Sequence, residues 1–444
     1  MIADPLILAV ILITVMFVFL LSSLWIGVSL MLTGIIGMLI YDHNLPPVIS
    51  IFDKVGDLLA SSLYDAMNSW SLAALPMFIL MGEILYKSSI SAKLLNGLRP
   101  WLSHIPGGLL HVNVAACSLF AAVSGSSTAT TATVGKITLD ELQKRGYSKQ
   151  LAMGSLAGSG TLGYLIPPSL IMIIYGVMAD VSIGKLFLAG LLPGLLMASL
   201  YSFYIMYKAK VDPSVLPANE EKYTWSDKLH SLKDLAPIFL LISLVLGSIY
   251  GGYATPTEAA ALGVLGSLIL AAYFKAVSLE ILKNALLNSI RTSVMIGFII
   301  AGAVFLSQVI GFLGIARAMS EFITGLGLTP MMLILIIGIM YIILGMILEA
   351  ISIVVMTLPI VLPIVVLAGF DPLWFGVFLV FMVEMAQITP PVGFSLFVIQ
   401  SISNEKIQTI LKATFPFFIL MIVTVVIITV FPEIVFFLPD QMIK

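Results

Sequence analysis

The chain has 444 residues, 60% of them hydrophobic and 10% charged, with a formal net charge of −2 and a mean hydropathy of +1.13. A soluble protein carries about 25% charged residues, so this composition excludes a soluble enzyme or binding module and defines an integral membrane protein. The single cysteine, Cys117, excludes an intrachain disulfide. No HExxH, Walker A sequence or acidic metal cluster is present, so neither an ATP-driven pump nor a membrane enzyme is expected, no cofactor is implied, and no nucleic acid is an expected partner.

Residues 5–40, which lack a basic n-region and a cleavage site, read as one or two retained spans in the lipid bilayer. Residues 41–57 read as an outside loop and 58–86 as a return to the inside. A basic arm at 87–105 precedes an apolar segment, 106–135, that must start and finish inside because a second basic arm, 136–149, follows it. This segment therefore reads as a re-entrant hairpin with Ser124–Ser127 at its tip. Residues 150–178 then cross outward, broken at Gly160–Pro168. Spans at about 186–207, 236–250, 256–273 and 290–310 follow, with an amphipathic linker at 208–234. The second half has an arm at 311–329, a hairpin at 330–363 with Gly345–Ala350 at its tip, a crossing segment at 373–399 broken at Ile388–Gly393, and a final helix at 415–438.

On this reading 17 of the 21 lysines and arginines lie inside, leaving Lys54, Lys185, Arg317 and Lys444 outside. That is the bias of cytoplasmic loops. The halves repeat with opposite orientation: Gly125 and Gly345 are 220 residues apart, and Pro167 and Pro390 are 223 apart. The expected fold is all-α with an inverted repeat, two re-entrant hairpins and two broken helices. Its divisions are N-terminal spans (1–86), a first repeat core (87–185), connecting spans (186–310), a second repeat core (311–400) and a C-terminal span (401–444).

Three motifs carry chemistry. SGSSTATTATVG (Ser124–Gly135) concentrates hydroxyls and glycines at mid-membrane. Close helix packing explains small residues in general, but contiguous hydroxyls with the free carbonyls of a hairpin tip also supply hard oxygen ligands for sodium. GTLGYLIPPS (Gly160–Ser169) and MAQITPPVGFSLF (Met385–Phe397) each set a Pro-Pro pair in an apolar run. Each proline removes a backbone donor and clashes with the preceding turn. A simple kink accounts for one such pair, whereas two in corresponding positions indicate the binding site of a secondary transporter. The half-helix beginning at Pro168–Ser169 points its positive end at mid-membrane and favours a carboxylate there.

Glu83, Glu258, Glu349 and Glu384 are the carboxylates nearest apolar segments. Glu349 and Glu384 read as hydrogen-bonding anchors rather than proton couplers. His111 and Asn113 are expected to bond across helices, and Trp25, Trp70, Trp101 and Trp374 to mark membrane interfaces.

At PMFILMGEIL (Pro76–Leu85), IPGGLLHVNVAACSLFAAVSGSSTAT (Ile105–Thr130), KRGYSKQLAMGSLAGSGTLGYLIPPSLIMIIYG (Lys144–Gly176), KLFLAGLLPG (Lys185–Gly194), YGGYATPTEAAALG (Tyr250–Gly263) and ITPPVG (Ile388–Gly393), the chain resembles the large membrane subunit of tripartite ATP-independent periplasmic (TRAP) transporters. The resemblance covers nearly the whole chain. It implies a bacterial inner-membrane permease that imports a small organic acid with sodium by an elevator mechanism. A small four-helix membrane subunit and a soluble periplasmic substrate-binding protein would be its partners. It also implies a first sodium site at Ser124, Ser127, Gly163, Ile166 and Pro168, and a second at Gly345, Ala386, Thr389 and Val392. Substrate would lie near Ser126, Thr128, Ser169, Gln387, Phe394 and Ser395. Ala386 stands where the family often has glycine, and Ser395 where asparagine is frequent. Alternatives are a stand-alone sodium/carboxylate symporter or ion antiporter of the same architecture, and a channel or structural subunit.

Overall fold

The structure, a computed structural model, describes residues 4–41, 51–88, 90–217, 223–391 and 393–442. All regular structure among them is helical.

Residues 5–40 form two helices, α1 (Pro5–Leu21) and α2 (Ile26–Tyr41). Asp4 opens the first, its carboxylate accepting from the Leu6 amide at 2.9 Å. The expected outside loop gives way at its C-terminal end to α3 (Ile51–Met67), while residues 42–50 lie outside the described residues. This helix carries Asp53, Lys54, Asp57 and Asp65, too many charges for a spanning helix. The apolar span follows it as a short 3₁₀ turn leading into α4 (Ala74–Lys87).

The first repeat comprises α5 (Ile90–Leu102), the hairpin α6 (Leu110–Ser124) and α7 (Ser127–Lys144), and the half-helices α8 (Lys149–Gly160) and α9 (Leu170–Met178). The arm expected at 136–149 is largely a continuation of α7. Leu139 and Leu142 turn inward, and Arg99 of α5 bonds Glu141 across the gap, so the hairpin outruns its apolar part.

Connecting helices are α10 (Ile183–Val211), α11 (Trp225–Tyr250), α12 (Pro256–Tyr273) and α13 (Leu279–Phe312). The 34 residues of α13 measure about 51 Å at 1.5 Å per residue. The linker at 208–234 is shorter than expected, since α10 enters it and α11 begins within it. Part of it (218–222, including Lys222) lies outside the described residues. Single prolines at 193 and 237 leave α10 and α11 continuous.

The second repeat has α14 (Ile315–Gly325), the hairpin α15 (Pro330–Gly345) and α16 (Ala350–Leu367), and the half-helices α17 (Pro372–Gln387) and α18 (Phe394–Ser403). The C-terminal span, α19 (Ile407–Val430), starts earlier and ends earlier than the expected 415–438. Pro432 stops it, and the short α20 (Glu433–Phe436) follows. Lys444, expected outside, lies beyond the described residues.

Within each repeat the hairpin packs on its own broken helix, α6 and α7 on α8, and α15 and α16 on α17. Between repeats the second half-helices are exchanged: α9 packs on α16, and α18 on α7. The same cross-contact made twice is what two related, opposed repeats produce. Around this core α2, α3 and α4 pack on α13, α12 packs on α4, and α11 on α5. Among the described residues seven helices are long and apolar enough to cross a membrane. Exposed leucines such as Leu240, Leu244 and Leu265 on α11 and α12 suit lipid contact.

Two side-chain expectations also change. Trp374 is buried rather than interfacial, and its indole donates to the Ile428 carbonyl at 2.9 Å. That carbonyl has no helical partner because position 432 is a proline. His111 bonds locally, to the Pro106 carbonyl at 2.9 Å. Asn113 does bridge helices as expected, reaching the Ala152 carbonyl at 3.2 Å and the Ser155 hydroxyl at 2.9 Å.

Candidate ion and substrate site

The first hairpin turns at Gly125, whose φ of 59° closes α6 in the left-handed region. Ser126 then caps α7, its hydroxyl accepting from the Ala129 amide at 3.4 Å. The tip is therefore one glycine among three serines, because the chain must end one helix and start another there. The Ser124 and Thr130 hydroxyls lie 2.9 Å apart, folding the tip on itself.

The first break sits directly on this tip. After α8 a 3₁₀ turn covers Thr161–Tyr164, the Pro167–Pro168 peptide is cis, and Ser169 caps α9, accepting from the Met172 amide at 3.3 Å. A Cβ at Gly163 would fall 2.4 Å from the Ser127 Cα and 2.5 Å from its nitrogen, so only glycine permits this approach. The Leu170 amide donates to the Gly125 carbonyl at 3.3 Å. Ser124, Ser126, Ser127 and Thr128 of the tip are thus brought against the segment that carries Gly163, Ile166, Pro168 and Ser169.

The second tip and break meet in the same manner. A Cβ at Gly345 would fall 1.9 Å from that of Ala386, so the second hairpin tip rests on the last turn of α17, one residue before its end. Thr389 donates its hydroxyl to the Met385 carbonyl at 2.6 Å, leaving its lone pairs open. Pro390–Pro391 is cis. Val392 lies outside the described residues. Gln387 and Ser395 are buried, and the Gln387 Oε1 and Ser395 Oγ have no hydrogen-bond partner, while Phe394 is half-buried at the start of α18.

Glu384 joins the two repeats. It is fully buried, and its Oε1 accepts from the Ser127 hydroxyl and, at 2.9 Å, from the Tyr164 amide. One carboxylate on α17 therefore holds both the first tip and the first break. Sequence reasoning recognised Glu384 as an anchor but had no means of naming Tyr164, whose contribution is a backbone amide. It also passed over Thr131, buried one turn beyond Ser127 with no partner for its hydroxyl. The other carboxylates lie elsewhere: Glu258 forms a capping box with Thr255 at the start of α12, and Glu83 accepts from Asn288 at 3.1 Å. Glu349 precedes α16 at the second tip, with the Ser352 hydroxyl 3.4 Å from its Oε2.

Neutral hydroxyls, freed carbonyls and one carboxylate suit a hard cation, and helix starts at the tips and breaks suit an anion. Among the described residues no group of three His, Cys, Asp or Glu stands ready for a transition metal.

The fold is shared with the YdaH transporter of Alcanivorax borkumensis, whose crystal structure matches with a TM-score of 0.63 at 11% identity over 85% of this chain and 89% of that one. The C4-dicarboxylate TRAP transporter large permease protein DctM of Pseudomonas aeruginosa is 34% identical over 383 residues, 86% of this chain and 89% of the relative. The sialic acid TRAP transporter permease protein SiaT of Haemophilus influenzae is 31% identical over 393 residues, 88% of this chain and 63% of that longer protein. The tripartite ATP-independent periplasmic transporter, DctM component, matches residues 13–434. With these features of site and sequence together, the chain belongs to the DctM family of TRAP transporter membrane components.

Proposed function

We propose that this protein is the large permease subunit of a sodium-coupled importer in the bacterial inner membrane, taking up a small organic acid delivered by a periplasmic binding protein. A small four-helix membrane subunit completes the assembly. The observation that carries the reading is the meeting of parts far apart in sequence: Glu384 of the second broken helix grips the first hairpin tip, 257 residues away, and the first break, 220 residues away. A site built from both repeats at once, at their interface, is where secondary transporters made of inverted repeats hold substrate and coupling ion.

In this reading the first sodium binds Ser124, Ser127 and the carbonyls of Gly163, Ile166 and Pro168. The second binds at Gly345, Ala386, Thr389 and Val392. Substrate lies between the tips, near Ser126, Thr128, Ser169, Gln387, Phe394 and Ser395. Its carboxylate is drawn to the starts of α7, α9 and α18, and the bound cations offset a negative charge that is otherwise costly at mid-membrane. The two tips and broken helices move together as an elevator against the surrounding helices. Each net positive charge carried inward gains about 2.3 kcal/mol per 100 mV. The named substrates of the relatives, a C4-dicarboxylate and sialic acid, share a carboxylate and little else, which supports assigning substrate choice mainly to the binding protein.

The test is uptake of candidate acids into proteoliposomes holding this chain and its small subunit, with and without the binding protein. Uptake only with the binding protein is expected. Equal uptake without it would replace this reading with a stand-alone sodium/carboxylate symporter.

A further inference from the structure

We infer that Glu384 supplies the charge that sets cation affinity at the first ion site, its free oxygen adding a carboxylate to a set otherwise made of hydroxyls and carbonyls. The inference rests on the sodium-coupled reading above and adds a residue to it.

Among the described residues Glu384 is the only buried Asp or Glu. None of the described lysines or arginines forms an ion pair with it. Its Oε1 is committed to the Ser127 hydroxyl and the Tyr164 amide, whereas its Oε2 has no partner at all. A buried carboxylate with one oxygen unmatched is expensive, and it is unpaired where the Ser127 hydroxyl of the first tip meets the Tyr164 amide of the first break. The Thr131 hydroxyl, one turn along α7 from Ser127, is likewise buried and unpartnered. A cation seated among the hydroxyls and carbonyls of the tip and break would give Oε2 the charge it lacks.

The placement has a second consequence. Glu384 lies two residues before Ala386 and five before Thr389 on the same segment. The charge for the first site is thus borne by the element that forms the second. Loading the first site would hold α17 in place for the second ion.

Glu384→Gln separates this role from anchoring, because its amide oxygen still accepts from Ser127 and Tyr164 while the charge is gone. Wild type, Glu384→Asp and Glu384→Gln, purified in detergent with the small subunit, are melted across a series of sodium chloride concentrations. Choline chloride holds the ionic strength constant. The melting midpoint of the Gln variant in choline should match wild type, while its half-saturating sodium rises about 10- to 100-fold, the usual cost of losing a group that supports a metal site. Asp, which keeps the charge but withdraws it by one methylene, should fall between the two. If Gln yields no folded protein, Asp alone decides: raised half-saturation supports the inference and an unchanged value overturns it. A Gln variant with wild-type sodium response, or with a lowered midpoint in choline and an unchanged sodium response, makes Glu384 a structural anchor only. A wild type that sodium does not stabilise over choline refutes the sodium-coupled reading itself, and this inference with it.

Discussion

The contact between Gly345 and Ala386 makes a quantitative prediction about the second hairpin tip. Adding a methyl by Gly345→Ala places its Cβ 1.9 Å from the Ala386 Cβ, whereas carbons in good contact sit about 3.5–4.0 Å apart. The tip must therefore retreat from α17 by about 1.6–2.1 Å to restore van der Waals separation. Neither partner is the far end of a flexible side chain, so backbone has to move, at a cost of about 1–3 kcal/mol for overpacking. Ala386→Gly removes the obstructing methyl. In the double variant the nearest atoms to the new Cβ are then the Ala386 Cα position at 3.2 Å and the Ile353 Cδ1 at 3.3 Å, which small adjustments relieve. The assay is a double-mutant cycle on thermal midpoint and on uptake. Gly345→Ala should lower both, Ala386→Gly should change stability little, and the pair should recover most of the loss, giving a coupling of at least about 1 kcal/mol. Strict additivity of the two substitutions would refute the contact and with it the seating of the second tip on α17.

Three further outcomes follow from other contacts. Gly163→Ala should abolish sodium-dependent uptake, since its Cβ would enter the Ser126–Ser127 backbone. Gly311→Ala, in α13 with nothing within 4 Å of the added methyl, should be neutral or gain about 0.4–1 kcal/mol. Equal damage from both in a melting and uptake assay would contradict the geometry. Trp374→Phe should lower thermal stability by about 1–3 kcal/mol by leaving the Ile428 carbonyl buried without a donor, and a midpoint equal to wild type would count against that role. Between α18 and α19, Glu405 lies 2.8 Å from Lys149. The hydrogen bond from Lys149 and then its charge hold the Glu405 carboxyl below the usual range. With the folded value depressed, its contribution is fully present above the unfolded value and is lost as pH falls through the folded one. Glu405→Gln should therefore lower stability slightly at neutral pH and leave the acid end unchanged, flattening part of the acid limb of a stability profile, and an unaltered acid limb would rule the pair out.

Much of this was legible in the sequence because prolines and charges act locally. The Pro-Pro pairs broke helices at 160–170 and 387–394, while the lone prolines of α10, α11 and α19 did not. Gly125 and Ser126 announced a hairpin tip through turn and cap chemistry that needs no partner. The helix ends were harder to read because tertiary contacts set them. The arm expected after the first hairpin is the end of α7, held by Arg99 on Glu141. The early stop of α19 needed only Pro432, yet the burial of Trp374 against that helix end depends on which helices become neighbours. The bond from Tyr164 to Glu384 was invisible for a further reason. A backbone amide leaves no mark in a sequence, and 220 residues separate the two partners.

The most direct measurement is uptake into proteoliposomes holding this chain and its small subunit, with substrate on its binding protein and an imposed inward gradient of sodium or of potassium. Ser127→Ala is run beside wild type. The account predicts uptake driven by sodium alone and lost in the variant, whereas uptake that proceeds equally on a potassium gradient would contradict it.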